Sequence, residues 1–160
     1  MSMRTIIIGL GNPILRDDSV GLRVVAKLRA QLEQDENIVI EEDFWGGLRL
    51  MEHMVGFDRA IIVDAICTGQ EAPGTLMQLD ADGIPTQRSA SAHDVNLPTA
   101  LALGRQAGAH LPLDEQIMLI GIEAEDVLTF DESLSPAVEK AVPTAVEAIL
   151  DALSKENSHL

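Results

Sequence analysis

A mostly parallel α/β fold follows from three features of this 160-residue chain. Strand-like apolar runs alternate with segments whose apolar residues recur at helical spacing. The strongest runs, Thr5 to Leu10 and Arg59 to Val63, are apolar at consecutive positions, as in strands buried on both faces. Gly and Asp residues punctuate the ends of these runs. Parallel neighbours need crossover connections, so helices should cover both faces of the sheet.

Each element has its own signal. Thr5 to Leu10 is β-branched and ends at Gly9-Leu10-Gly11. From Ser19 onward, Val20, Val24, Leu28 and Leu32 line one helix face. Asn37 to Glu42 reads as a second strand, and Gly46-Gly47 opens a short helix through about Met54. Arg59 to Val63 is the third strand, ending at Asp64, and Gly74 to Leu79 is the fourth. Leu97 to Gly108 is helical in pattern, with Pro98 in its first turn. Gln116 to Ile122 is the fifth strand. Ser135-Pro136 starts a last helix carrying Val138, Val142, Val146, Ile149 and Leu153, which Pro143 should kink or split. Beyond about Lys155 the residues are polar and should fray. No repeat or linker divides the chain, so residues 1–160 form one domain.

Composition removes several functions. A net charge of −15 with 2% aromatics lacks the basic footprint and stacking platforms of a nucleic-acid binder. One Cys cannot close an intrachain disulfide or build a Cys-rich zinc site. No apolar run approaches the roughly 20 residues that span a bilayer. Met1 to Arg4 leads straight into a strand without a cleavable signal pattern, so a soluble cytoplasmic protein is expected.

Open α/β sheets bind ligands at the carboxyl ends of their strands, which directs attention to residues after Leu10, after Val63 and around Ser91 to Asp94. The run Gly9-Leu10-Gly11-Asn12-Pro13 invites comparison with the dinucleotide fingerprint. Ile14 takes the place of the third Gly, and Asp17-Asp18 would repel a pyrophosphate. Those five residues also resemble peptidyl-tRNA hydrolases, but the charge of the chain is wrong for tRNA. Asp17 and Asp18 can cap the first helix, or one can cap while the other points into a cleft. Asp64, at the end of a buried strand, must be hydrogen-bonded, paired or metal-bound, or else caps the loop Ala65 to Thr68. His93 is either a surface loop histidine or a ligand with Asp94 behind it. Two carboxylates and an imidazole converging from three loops would suit a divalent transition metal with positions left open.

Other candidates are weaker. Glu123 can order a neighbouring loop or hold a salt bridge. Asp43, before Gly46-Gly47, can line the same cleft or cap a short helix. Trp45 suits packing or a rim contact, and Cys67 reads as a small buried thiol. His53, His110 and His159 show no partner pattern. Neither a Ser/His/Asp arrangement nor an H-E-x-x-H motif is visible.

Taken together, Gly9-Leu10-Gly11-Asn12 with Asp17-Asp18 and Gly21, Val63-Asp64-Ala65, Ser91-Ala92-His93-Asp94, Gly121-Ile122-Glu123 and Leu134-Ser135-Pro136 resemble the NiFe-hydrogenase maturation endopeptidases. The resemblance runs from Gly9 to about Val142 and implies a single three-layer α/β/α domain with a mostly parallel five-stranded sheet. It implies a metal-dependent, aspartate-type endopeptidase that removes the C-terminal extension of the hydrogenase large-subunit precursor after nickel insertion. The metal-contacting positions fall on Asp18, Asp64 and His93, which would also carry the catalysis. Asp43 matches a substrate-contacting position, with Asn12, Gly46 and Gly47 beside it. Asp18 stands where many members carry Glu, one methylene longer, so Asp17 stays open as a participant. Ala124 stands where members often have Pro. On this resemblance nickel comes with the precursor, no metal is held tightly by the free enzyme, and the protein is monomeric. A non-catalytic metallochaperone gripping the loaded precursor would use the same residues, whereas in a small acidic α/β binding module Asp18 and Asp64 would only be caps.

Overall fold

The computed structural model describes residues 2–44, 46–81 and 96–157. The chain runs through β1 (Thr5–Leu10), a 3-10 turn (Asp17–Ser19), α1 (Val20–Leu32), β2 (Ile38–Asp43) and α2 (Gly47–Met54). It continues through β3 (Arg59–Ile66), β4 (Leu76–Leu79), α3 (Leu97–Gln106), β5 (Ile117–Glu123) and α4 (Pro136–Asn157). One five-stranded sheet has the order β2-β1-β3-β5-β4, parallel except for β4, which pairs antiparallel with β5. The central strands β1 and β3 are buried along their whole length, which is why their sequences do not alternate.

Two apolar cores flank the sheet. Ile7, Ile61, Val63 and Ile120 pack under Val24 and Leu28 of α1 and Val142 and Ile149 of α4. Ile6, Ile8, Ile62 and Leu119 pack under Leu50 and Met54 of α2 and Leu97 and Leu101 of α3. The expected three layers and five strands are therefore present.

The chain leaves β1 towards β2 but leaves β3 towards β4 and β5. The connections part between β1 and β3, so a crevice opens at the carboxyl ends of those strands. Glycines let α1 start against this point. A Cβ on Gly21 would lie 2.4 Å from the Val63 carbonyl oxygen and 2.6 Å from that of Leu10. One on Gly11 would lie 2.1 Å from the Asp18 carbonyl oxygen. Close backbone packing, not phosphate binding, explains the glycines after β1.

Several boundaries differ from expectation. β3 does not stop at Val63, because β5 continues the ladder from Asp64↔Gly121 to Ile66↔Glu123. Asp64 is thus inside the strand. β4 begins at Leu76, since Gly74 has φ +89° and belongs to the preceding turn. α3 ends at Gln106, with Gly108 at φ +88° just beyond it. α4 is neither broken nor split at Pro143. Pro143 lies on the exposed face, opposite buried Ala141, Val142, Ala145 and Val146. The helix can bend around the core there, and the carbonyl that loses its donor faces water. The same helix runs on through Asn157, past the point where fraying is expected.

Candidate functional site

Burial picks out one edge of the sheet. Among the described residues the buried acids are Asp17, Asp43, Asp64 and Glu123. Asp43 and Glu123 end parallel strands, Asp64 lies two residues before the end of β3, and Asp17 lies in the turn between β1 and α1. A buried carboxylate must be compensated by hydrogen bonds, counter-charges or a metal. The question at each is what its oxygens hold.

Asp17 is fully buried and holds the chain itself. Its Oδ2 accepts from the backbone N–H of Glu125 and of Asp126, both at 2.9 Å. Its Oδ1 accepts from the Ser135 N–H at 2.8 Å, and the Ser135 hydroxyl reaches both oxygens at 2.8–3.0 Å. This carboxylate fastens the loop after β5 to the loop after β1. Asp18 is different: it is half-buried, and its Oδ2 accepts from the Asn12 N–H at 2.9 Å. The adjacent acids therefore divide the work, Asp17 as a clasp and Asp18 at the mouth of the crevice.

Asp64 is 2% exposed and sits one residue past Val63, whose partner on β1 is Gly9. It lies where the connections of the sheet part, and the turn bearing Asp18 packs against β3. Glu123, in contrast, serves a loop. Its carboxylate accepts from the Thr68 N–H at 3.0 Å and from the Thr68 hydroxyl, ordering the segment after β3. Cys67 is exposed, not buried as the sequence suggested, because the strand ends just before it. Partial desolvation, then the charges of Glu123, Asp18 and Asp17, raise its thiol pKa, which keeps it protonated and a poor nucleophile.

Asp43 pairs with two side chains of α2. Its Oδ1 accepts from the Phe44 N–H at 2.8 Å, and its Oδ2 from Arg49 Nε at 3.1 Å and His53 Nε2 at 2.7 Å. Burial alone would raise its pKa. The bonds from His53, Phe44 and Arg49 prevail and hold it below 3.8. Gly46 and Gly47 let the chain turn into α2, where the Gly46 carbonyl accepts from the Leu50 N–H at 3.1 Å. Asn12 shapes the loop after β1, its Oδ1 accepting from the Ile14 N–H at 3.1 Å.

His53 and His110, for which the sequence reading assigns no partners, both pair with acids, His53 with Asp43 and His110 with Asp58 at 2.9 Å. The available signal was Arg49 and His53 spaced four apart on the short helix after Asp43, which puts both on one face. His93, Asp94, Trp45 and His159 lie outside the described residues. Among the described residues no group of three or more His, Cys, Asp or Glu side chains is placed to hold a metal ion. The described residues thus put Asp64 within β3 and Asp18 in the turn packed against β3, with Asp43 at the end of β2 on the other side of β1.

Comparison with known proteins shows the family and the fold. The model of a family described as hydrogenase maturation protease matches residues 22–152. The Hydrogenase 2 maturation protease of Escherichia coli K12 is 31% identical over 94% of this chain and 91% of its own length. The hydrogenase expression/formation protein HupD of Rhizobium leguminosarum is 29% identical over 94% of this chain and 74% of its own. The solved structure of the hydrogenase maturating endopeptidase HybD from E. coli superposes with a TM-score of 0.75 at 31% identity, covering 96% of this chain and 94% of that one.

Proposed function

This chain belongs to the hydrogenase maturation protease family and is a peptidase, and we propose that it removes the C-terminal extension of a NiFe-hydrogenase large-subunit precursor once nickel has been inserted. The observation that carries this reading is Asp64, buried on β3 where the connections of the sheet part, with the turn bearing Asp18 packed against that strand. Asp17 and Glu123 hold loops, and Asp43 is bound to Arg49 and His53.

In this reading the nickel is part of the substrate. Asp18, Asp64 and His93 supply two carboxylate oxygens and one imidazole nitrogen. That set is short of soft donors and would complete the coordination of an ion already held by precursor thiolates rather than retain one alone. The enzyme is then specific for loaded precursor and works as a metal-dependent, aspartate-type endopeptidase. Hydrolysis adds one water across the peptide bond. The water oxygen joins the carbonyl carbon, the C–N bond breaks, and the new amine takes a proton. In this reading the carboxylates of Asp18 and Asp64 receive and return that proton. Asp43, Gly46, Gly47 and Asn12 form the adjoining wall against which the tail lies. The protein acts as a cytoplasmic monomer; no described helix is long and apolar enough to cross a membrane.

The test is tail release from nickel-loaded and nickel-free precursor, weighed by mass spectrometry. Wild type should cut only the loaded form. Asp64→Asn should lose activity by about 100-fold or more, since a group acting in proton transfer contributes on that scale. Normal processing by Asp64→Asn overturns the site. Binding of loaded precursor without tail release would instead make the protein an assembly factor.

A further inference from the structure

The loop between β5 and α4 is built rigidly, yet it points large apolar side chains at water. Asp17 holds it at Glu125, Asp126 and Ser135. Backbone bonds tie it to the loop after β1: Arg16 N–H to the Thr129 carbonyl at 3.0 Å, Asp17 N–H to that of Asp126 at 2.8 Å, and Asp131 N–H to that of Ile14 at 3.0 Å. Asp126 accepts from the N–H groups of Leu128 and Thr129, and Asp131 from that of Ser133, so the tip is braced from within. On this frame Leu128 is 83% and Phe130 78% exposed, the two most exposed large hydrophobics among the described residues. A loop fixed at so many points cannot fold these side chains inward.

Their location is also selective. The loops after β1 and β2 add exposed Ile14 and Phe44 on the same edge as Asp18 and Asp64. Large hydrophobics held exposed on one edge are candidates for an interaction surface. The loop is acidic: Glu125, Asp126, Asp131 and Glu132 flank the two hydrophobics, against Arg16 nearby and Arg23, which donates to the Glu132 carbonyl. The complementary surface is apolar with flanking basic residues.

We propose that Leu128 and Phe130 form a docking finger for the protein substrate, seating an apolar patch flanked by Lys or Arg on the folded body of the precursor. This rests on the precursor being the substrate. Docking the body here would hold the tail at the crevice and separate recognition of the partner from the chemistry at Asp18 and Asp64. Asp17 is then a positioning residue, since it sets the height and angle of the finger without touching substrate.

The experiment compares wild type with a Leu128→Ser/Phe130→Ser double variant on nickel-loaded precursor, measuring kcat, KM and direct binding of the precursor to immobilised enzyme. Both residues are exposed, so the thermal midpoint should not change. KM and Kd should rise about tenfold, the scale for loss of an interfacial anchor, while kcat stays within about twofold. A Glu125→Gln/Glu132→Gln variant should raise KM a few-fold and weaken its salt dependence. Unchanged KM and Kd in the double variant overturn the finger. So does a wild-type dimer, seen by ultracentrifugation, that the double variant abolishes, because the patch is then a self-interface. If wild type binds precursor but releases no tail, the proteolytic reading fails, and a tenfold loss of binding in the double variant still supports the finger.

Discussion

The two edges of the sheet treat charge in opposite ways. At the carboxyl edge Asp17, Asp43, Asp64 and Glu123 are all buried. At the amino edge the acid before β3, Asp58, is open: its side chain is 41% exposed and that of its partner His110 is 64% exposed. The buried charge there is basic, Arg59, which donates to the Ala152 carbonyl of α4 at 3.1 Å. The amino edge even carries a cleft of about 560 Å³ lined by Arg59, Gln78, Asp80, Asp114 and Lys155. Space alone therefore does not mark the site. Burying a carboxylate costs several kcal/mol before its partners repay it. The amino edge shows that this fold closes without that cost, so four buried acids on the other edge need a further reason. Two of them fasten loops, one is locked to a helix, and one stands at the parting of the connections.

The comparison is broken most directly at Asp17. Asp17→Ala leaves the N–H groups of Glu125, Asp126 and Ser135 and the Ser135 hydroxyl without their acceptor. Each buried orphan costs about 1–3 kcal/mol, and relaxation towards water recovers part of the sum. The expected loss is about 3 kcal/mol or more, a fall of roughly 6–12 °C in thermal midpoint by calorimetry. A fall of under about 2 °C would mean that the clasp is not what holds the loop.

What the sequence disclosed, and what it withheld, follows the same division. The fold was legible because Ile6, Ile7 and Ile8, and Ile61, Ile62 and Val63, are apolar without alternation, and only a doubly covered strand accommodates that. Asp64 stood out in sequence as an acid after an apolar run, and the structure buries it inside β3 rather than at its end. The roles of Asp17 and Asp18 were not legible. They are adjacent and chemically identical, and their difference arises from a loop more than 100 positions away, which reaches Asp17 alone. The pairing of Asp43 with His53 was hidden for a milder reason. It depends on the angle at which α2 leaves Gly46 and Gly47, which residue spacing does not specify. Pro143 does not split α4 because it sits on the exposed face, and propensity rules carry no information about which face of a helix meets water.

A middle-sized effect is expected at Asp43, and pH reads it out. Its pKa is lowered on folding, with bonds from His53, Phe44 and Arg49 outweighing burial. A carboxylate with a depressed folded pKa adds stability that is present above its unfolded value, near 3.8, and is lost as pH falls through the lower folded value. Asp43→Asn keeps an acceptor for the Phe44 N–H but gives up the charge facing Arg49 and His53. It should cost about 1–2 kcal/mol at neutral pH, and urea midpoints of variant and wild type should converge between about pH 5 and pH 2. Parallel curves across that range would show that Asp43 is neutral in the folded protein or unpaired in solution.

The smallest effect belongs to Asp58, and its smallness is informative. Its pKa is also lowered, first by the Arg4 N–H and then by His110, at contacts of 2.9 Å each. On distances alone it looks like Asp43, whose bond to His53 is 2.7 Å. The difference is water: Asp58 is 41% exposed where the Asp43 side chain is 5% exposed. Solvent screens an exposed pair, and each partner gives up side-chain freedom to hold it. Asp58→Asn should therefore change stability by about 0.5 kcal/mol or less, with an effect that fades further in molar salt. The sign with pH is the same as for Asp43, so a shallow loss of the Asp58 contribution below pH 3.8 is expected, against a steep one for Asp43. If Asp58→Asn instead costs as much as Asp43→Asn in matched urea titrations, burial does not set the value of these acids. The contrast between the two edges would then lose its energetic basis.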